Sequence, residues 1–294
     1  MLEAVFIVNP LSGATDKRNI VALIHKELDS SRFHSQIVYT QYPGHGRELA
    51  RSCEADVVVA VGGDGTVSEV AQGIAGTRKA LGIIPCGSGD GLALHLGISR
   101  NPRKAIRQLN RSDISVMDFG TVDGRPFFCT TGVGMDAQVA WEFARCGQRG
   151  FRTYIRKTLE VWRQYRPVPY LLEADGQKMS IKAMFITVAN VNQWGNDAVI
   201  APEASVTDGM LDVVILQPFH FWHIPGLAFR LFTRSFTRSS LVSTLRVKKL
   251  VLQREQPGPA HLDGDPVAMG ARLSFEIHPA AVRILVPEGR NYHI

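Results

Sequence analysis

Five apolar residues, Val57-Val58-Val59-Ala60-Val61, run without a break into Gly62-Gly63-Asp64-Gly65-Thr66 and then into the helix-like pattern Val67-Ser68-Glu69-Val70-Ala71. A short, wholly apolar run reads as a strand buried on both faces, and hence as a parallel strand covered by helices. Three glycines at its end let backbone N–H groups approach an anion, and the start of the following helix adds partial positive charge. An acid among such amides, Asp64, makes sense where a divalent cation or a transferable hydroxyl proton is also handled. This loop alone points to a phosphate-binding enzyme. A tight strand-to-helix turn is the competing reading.

The rest of the first part alternates in the same way. Strands are predicted at Ala4–Val8, Gln36–Thr40, Asp56–Val61 and Leu81–Pro85, with helices at Asn19–Asp29, Gly46–Cys53, Val67–Ile74 and Asp90–Leu96. Short connections between them imply an α/β domain with a parallel sheet, whose ligands sit beyond the carboxyl ends of the strands. Each of those ends is polar or glycine-rich: Asn9-Pro-Leu-Ser12-Gly13, Thr40, Gly62–Thr66 and Gly87-Ser88-Gly89-Asp90. After about residue 120 the rhythm becomes that of a mostly antiparallel β domain. Its strands, among them Ile181–Val191, Leu245–Gln253, Arg272–Ile277 and Val282–Val286, are separated by Asp123-Gly124, Asp175-Gly176 and Asp208-Gly209, with helical insertions near Tyr154–Tyr165 and Phe219–Phe236. The expected division is 1–120 and 121–294, and Pro257-Gly-Pro259 reads as a loop.

Composition narrows the function. With 294 residues, 45% of them hydrophobic, the chain can bury one large core or two modest ones. No apolar run approaches the roughly 18–20 residues of a membrane span, and Met1-Leu2-Glu3 leads straight into a strand rather than a signal-peptide core. Cys53, Cys86, Cys129 and Cys146 are scattered, as reduced core cysteines of a cytoplasmic protein would be. A net charge of +6 suits nucleic acid, anionic lipid headgroups or nucleotide phosphates. Nucleic acid is set aside, because zinc-finger spacing, an aromatic RNA-binding motif and a long basic run are all missing.

Several constellations carry two readings each. Asn9 and Ser12 either hydrogen-bond phosphates or cap the next helix. Asp90 is either a helix cap or faces a metal or phosphate-bound water. Asp208-Gly-Met-Leu-Asp212 is a hairpin turn that could also hold a hard cation through oxygen ligands. His261-Leu-Asp263-Gly-Asp265 is a turn with two acids, one of which could accept a hydroxyl proton while the other orients it or binds magnesium. Phe219–Phe236, rich in aromatics and with Arg230 and Arg234 (Arg238 follows just after), is either a core-packed helix or a segment resting on lipid, and Arg149–Arg166 could add to the same face.

Taken in order along the chain, these residues resemble the lipid-kinase superfamily of bacterial diacylglycerol kinases, sphingosine kinases and ceramide kinases. The shared signals are Asn9-Pro-x-Ser-Gly13, Thr40 with Gly44-His45, Gly62-Gly-Asp-Gly-Thr66 with Glu69, Gly87-Ser-Gly89, Asp118–Gly120, Gly132–Asp136, Asp208-Gly-x-Leu-Asp212 and Asp263-Gly-Asp265. The resemblance implies a nucleotide-binding α/β domain joined to a β-sandwich-like domain, with the last strand (about ten residues) returning to the first. It implies ATP contacts from Asn9, Ser12, Gly13, Thr40, Gly62, Gly63, Asp64, Gly65, Thr66, Val67, Ser68, Glu69, Gly87 and Ser88. It implies a structural Mg2+ at Asp208, with Ser205, Met210 and Asp212, and catalysis by Asp263 and Asp265 with a lean toward Asp263. Ser68 and Asp90 stand where the family usually has Asn, and Asp265 where it has Glu. The expected activity is ATP- and Mg2+-dependent phosphorylation of a lipid hydroxyl, diacylglycerol-like or sphingoid/ceramide-like. The expected enzyme is peripheral to a membrane, with a homodimer left open. A soluble-metabolite kinase of the NAD-kinase type and a catalytically silent lipid- or nucleotide-binding protein are the alternatives.

Overall fold

The computed structural model describes residues 1–13, 17–146 and 151–289. The chain divides into two compact units, Met1–Asp118 with Pro279–Ile294 and Phe119–His278.

The first unit follows strand–helix alternation: β1 (Leu2–Val8), α1 (Lys17–Glu27), β2 (Phe33–Tyr39), α2 (His45–Ser52), β3 (Val57–Gly62), α3 (Asp64–Ile74), β4 (Ala80–Pro85), α4 (Gly91–His95) and α5 (Pro102–Asn110). The strands lie parallel in the order β2-β1-β3-β4. All six residues of β3 are buried, as a central strand covered on both faces requires. Each fully buried valine there contributes about 1.5–3 kcal/mol. Register aligns the strand ends: Val8 lies opposite Tyr39 and Val61, and Gly62 opposite Pro85. The segments starting at Asn9, Thr40, Gly62 and Cys86 therefore leave the sheet along one edge. Helix α5 was not expected. Its signal was Asn101, whose side chain accepts from the Lys104 N–H at 3.2 Å, followed by Pro102 in the first turn.

The chain then runs through β5 (Ser112–Val122), β6 (Arg125–Phe127), β7 (Thr130–Gly134), α6 (Met135–Arg145), α7 (Phe151–Gln164), β8 (Val168–Ala174), β9 (Gln177–Ala183), β10 (Phe185–Ala189) and β11 (Leu211–Leu216). It ends with α8 (Ile224–Phe232), β12 (Val242–Val247), β13 (Lys249–Arg254), β14 (Gly258–Leu262), β15 (Asp265–Met269) and β16 (Arg272–Pro287). In the second unit, β12-β11-β10-β7-β14-β15 make one antiparallel sheet, and β16, β13, β8 and β9 pair antiparallel in another. Val133, Ile186 and Val213 from one sheet meet Leu172, Leu250 and Leu273 from the other in a single core. On the outer face of the first sheet, Val139 of α6, Val161 of α7 and Leu227 of α8 pack with Val214 and Leu216.

Three expectations are corrected here. The runs 181–191 and 245–253 are each broken into two strands, at Met184 and Lys248. The Pro257–Pro259 region opens β14 rather than forming only a loop. Pro259 faces Ala268 of β15, while pairing to β7 starts at Ala260, so the missing N–H of proline is not required on that side. Arg272–Ile277 and Val282–Val286, read as two strands, are one. β16 pairs with β13 through Glu276 and then, beyond Pro279, runs parallel to β4 with Arg283 opposite Ala80. Residues 149 and 150 of the basic aromatic stretch lie outside the described residues.

Candidate functional site

In the first unit, backbone meets backbone at the carboxyl edge of the sheet. A Cβ on Gly13, whose φ is +62, would stand 1.7 Å from the Cys86 carbonyl oxygen, and one on Gly87 would stand 2.6 Å from the Gly63 Cα. Only glycine permits either approach. Asn9 ties the first loop to the second by donating its Nδ2 to Thr66 Oγ1 at 3.0 Å, and its Oδ1 accepts from the Leu11 N–H at 2.9 Å. Ser12 donates its hydroxyl to the Asn9 carbonyl at 3.1 Å.

Asp64 is engaged by the glycine loop after β4. Its two carboxylate oxygens accept from the N–H groups of Asp90 and Gly91, each at 2.7 Å. Asp90 in turn accepts from the Gly87 N–H at 2.9 Å, in the left-handed conformation that aspartate and asparagine tolerate. Burial pushes its carboxyl above the ordinary range, opposed by the Gly87 hydrogen bond and by the charges of Arg100 and Lys17. Burial likewise raises the Cys86 thiol to about 11, leaving it an inert core group. Glu69 accepts from the N–H groups of Gly44 and Gly46 at 2.7 and 2.9 Å, so it fastens the start of α2 to α3. Thr40 is buried and donates its backbone N–H to Val8. Val67 is a core side chain that donates its backbone N–H to the Gly63 carbonyl at 3.0 Å.

Two interlocked glycine loops meet at this edge, together with an α3 N-terminus whose N-cap, Gly63, supplies no side-chain cap among the described residues. Gly65 and Ser88 are exposed at the loop tips, and Gly63 and Ser68 are partly so. The first-turn N–H groups of a helix have no acceptor within it, and such a terminus receives phosphate.

In the second unit, the turn between β14 and β15 holds the paired acids. Asp263, at φ +50, accepts from three successive backbone N–H groups: Phe128 at 3.0 and 3.1 Å, Cys129 at 2.7 Å and Thr130 at 3.2 Å. Asp265, at the start of β15, is exposed. Oδ1 takes three of these contacts and Oδ2 only one, from Phe128, so the carboxylate anchors the turn to the backbone and exposed Asp265 stands beside it as the second candidate for proton acceptor. Two residues upstream, buried His261 places Nε2 3.3 Å from Asp136 Oδ2, which also accepts from Thr187 Oγ1 at 2.8 Å. Sequence reasoning did not pair His261 with Asp136, because β14 and α6 are far apart in the chain.

The predicted metal residues lie before and within β11. Asp208 accepts from the Met210 N–H at 3.0 Å and pairs with Arg246, which also approaches Asp212 at 3.7 Å. Ser205 Oγ lies 3.2 Å from Thr207 Oγ1. Burial pushes Asp212 up to about 6, with Arg246 opposing and Asp208 and Glu203 reinforcing. Among the described residues its Oδ2 is buried without a hydrogen-bond partner. An orphaned carboxylate oxygen beside further acids fits a hard cation. Among the described residues no three His, Cys, Asp or Glu side chains form a metal cluster, so backbone oxygens would have to complete the shell.

Known proteins match both units. Residues 3–122 match the diacylglycerol kinase catalytic domain family, and residues 129–286 the YegS C-terminal NAD kinase beta sandwich-like domain family. A diacylglycerol kinase of Mycobacterium tuberculosis is 30% identical over 249 residues, covering 79% of this chain and 77% of that one. One from Bacillus subtilis is 29% identical over 225 residues, 74% of each. In fold, a diacylglycerol kinase structure from Bacillus anthracis aligns with TM-score 0.75 at 18% identity over 97% of both chains. An Archaeoglobus fulgidus NAD kinase in complex with ATP aligns with TM-score 0.52 at 13% identity, over 97% of this chain and 94% of that one. The glycine loops and the paired-acid turn thus belong to a chain that is a member of the lipid kinase superfamily of diacylglycerol kinases and YegS-like lipid kinases.

Proposed function

We propose that this protein transfers the γ-phosphoryl group of ATP to a hydroxyl of a membrane lipid, diacylglycerol-like or sphingoid/ceramide-like. The observation that carries this reading is the α3 N-terminus, lined by Gly62–Thr66 and braced by the Gly87–Asp90 loop through Asp64. Backbone N–H groups from Gly63 to Thr66, with Ser68, Ser88 and the polar ends at Asn9–Gly13 and Thr40, bind and orient the triphosphate. Asp64 and Glu69 act one step back. The first holds the two loops in register and the second fixes α2.

Asp265 takes the proton of the attacking lipid hydroxyl, whose oxygen bonds to the γ-phosphorus as the β–γ bridging bond breaks and ADP leaves. Asp263 positions it by anchoring the turn to three N–H groups. Asp208 and Asp212 are the side chains that would hold Mg2+, with carbonyl oxygens near Ser205 and Met210. When bound, the cation would neutralise the Asp212 charge and stiffen the loop before β11. The protein acts at the surface of a membrane, and no helix among the described residues is long and apolar enough to cross one.

The test is incubation with labelled ATP and a mixed lipid extract, followed by organic extraction. Label in the organic phase is expected, and it should vanish in Asp265→Asn while ATP binding persists. Label confined to water-soluble products would instead favour a metabolite kinase.

A further inference from the structure

Helix α8 and the 3-10 turn before it (Phe221–His223) present large apolar side chains to solvent. Phe221, Trp222, Phe229 and Phe232 are 66%, 59%, 68% and 47% exposed. Leu227 and Phe236 of the same stretch are buried in the cluster over the outer face of the β10/β11/β12 sheet. The segment is therefore anchored on one side and still apolar on the other, where a helix facing water carries polar residues. One exposed phenylalanine is ordinary. Four aromatics on a dozen residues mark a binding surface. Trp162 of α7 stacks on Phe219, and α7 exposes Ile155 and Leu159, one helical turn apart.

Along the α8 segment itself the charge has a single sign, while Glu160 on α7 is paired with Arg156 and Lys157. From Val213 to Arg254 the sequence contains no Asp or Glu. Arg230, Arg234 and Arg238 make no ion pair among the described residues, and Arg234 and Arg238 are exposed. We infer that this face docks on an anionic lipid bilayer. Phe221, Trp222, Phe229 and Phe232 enter the boundary between headgroups and acyl chains, and the three arginines stay at the lipid phosphates. A second copy of the chain is a poorer occupant. An isologous contact would bring both sets of arginines together with no acid from either segment to offset them.

This rests on the lipid-kinase reading for its purpose but can be tested apart from it. Trp222 is the one exposed tryptophan among four, so it reports on the surface directly. The full chain is mixed with vesicles of phosphatidylcholine alone or of equal phosphatidylcholine and phosphatidylglycerol, then followed by sedimentation and tryptophan emission. Binding to the anionic vesicles with a blue shift is expected, and Trp222→Phe should abolish the shift. Phe221→Ser with Phe229→Ser should abolish binding without lowering the unfolding temperature, because these two side chains are 66% and 68% exposed. Arg230→Gln, Arg234→Gln and Arg238→Gln together should lower partitioning into anionic vesicles on the order of 100-fold.

Unchanged vesicle binding in the double phenylalanine variant would overturn the inference. So would a vesicle-free dimer that the same variant dissolves. Turnover of lipid dispersed in detergent separates the two readings. A double variant that has lost vesicle binding but keeps that turnover supports the docking role. A wild-type protein that binds vesicles yet phosphorylates no lipid refutes the kinase and leaves the surface standing.

Discussion

Asp263 and Asp265 stand two residues apart in one turn, yet replacing each with asparagine should give opposite signatures. Asp263 takes three backbone hydrogen bonds, from Phe128, Cys129 and Thr130. A hydrogen bond to a charged acceptor is worth about 1.5–3 kcal/mol and a neutral one about 0.5–1.5. Neutralising this acceptor therefore costs roughly 1 kcal/mol per bond, or about 2–3 kcal/mol in all, given the residue's partial exposure. Asparagine adopts the left-handed backbone at φ +50 as readily as aspartate, so no backbone strain is added. For a unit of this size the melting temperature should fall by roughly 4–12 °C.

Asp265 is exposed and its replacement should cost less than about 1 kcal/mol. Turnover of Asp265→Asn should nevertheless fall by about 10²–10⁴-fold, the scale for losing a general base. Thermal melts read by circular dichroism, with labelled-phosphate transfer on the same preparations, measure both. The assignment fails if Asp263→Asn melts like the wild type and loses turnover while Asp265→Asn keeps it.

Asp90→Asn should be at least as stable as the wild type at neutral pH. Burial raises the folded-state carboxyl above 3.8, so stability from this group is present below that value and lost as pH rises through the raised one. The variant should remove that decline from urea midpoints taken between pH 4 and 8, and an unchanged slope would place its cause elsewhere. Magnesium should raise the melting temperature of the wild type but not of Asp212→Asn; equal responses would move the cation away from β11. Glu69→Gln turns an amide donor toward one of the Gly44 and Gly46 N–H groups. It should cost about 1–3 kcal/mol in denaturant unfolding, whereas no change would show that α2 is held by other contacts.

The parallel sheet and its phosphate-facing edge were legible because an unbroken apolar run ending in glycine has few other structural uses. The roles inside that edge were less so. Asp64 and Glu69 read as ligand-facing acids, but which N–H groups they meet depends on loops 25 or so residues away in the chain. The same holds for Asp263, whose partners on the β6–β7 connection are more than 130 residues upstream. Helix α6 escaped notice because Gly132–Asp136 looks like a turn, and its helical start depends on Met135 donating to the Met184 carbonyl of a distant segment. Local pattern identifies elements and the residue types a site needs. It does not say which polar group is consumed by the scaffold and which is left for chemistry.

The single strand β16 has a consequence for how the chain can be made. Its second half, Pro279–Pro287, completes the first unit beside β4, yet it is synthesised only after all of the second unit. Until then the emerging chain carries β4 as an open sheet edge, a site for wrong pairing with neighbouring chains. Ribosome-bound intermediates should therefore stay protease-sensitive around Ala80–Pro85 until β16 has emerged. A separately expressed first unit will need Pro279–Pro287 spliced after Asp118 to be soluble. In order of synthesis, the second unit is nested within the first.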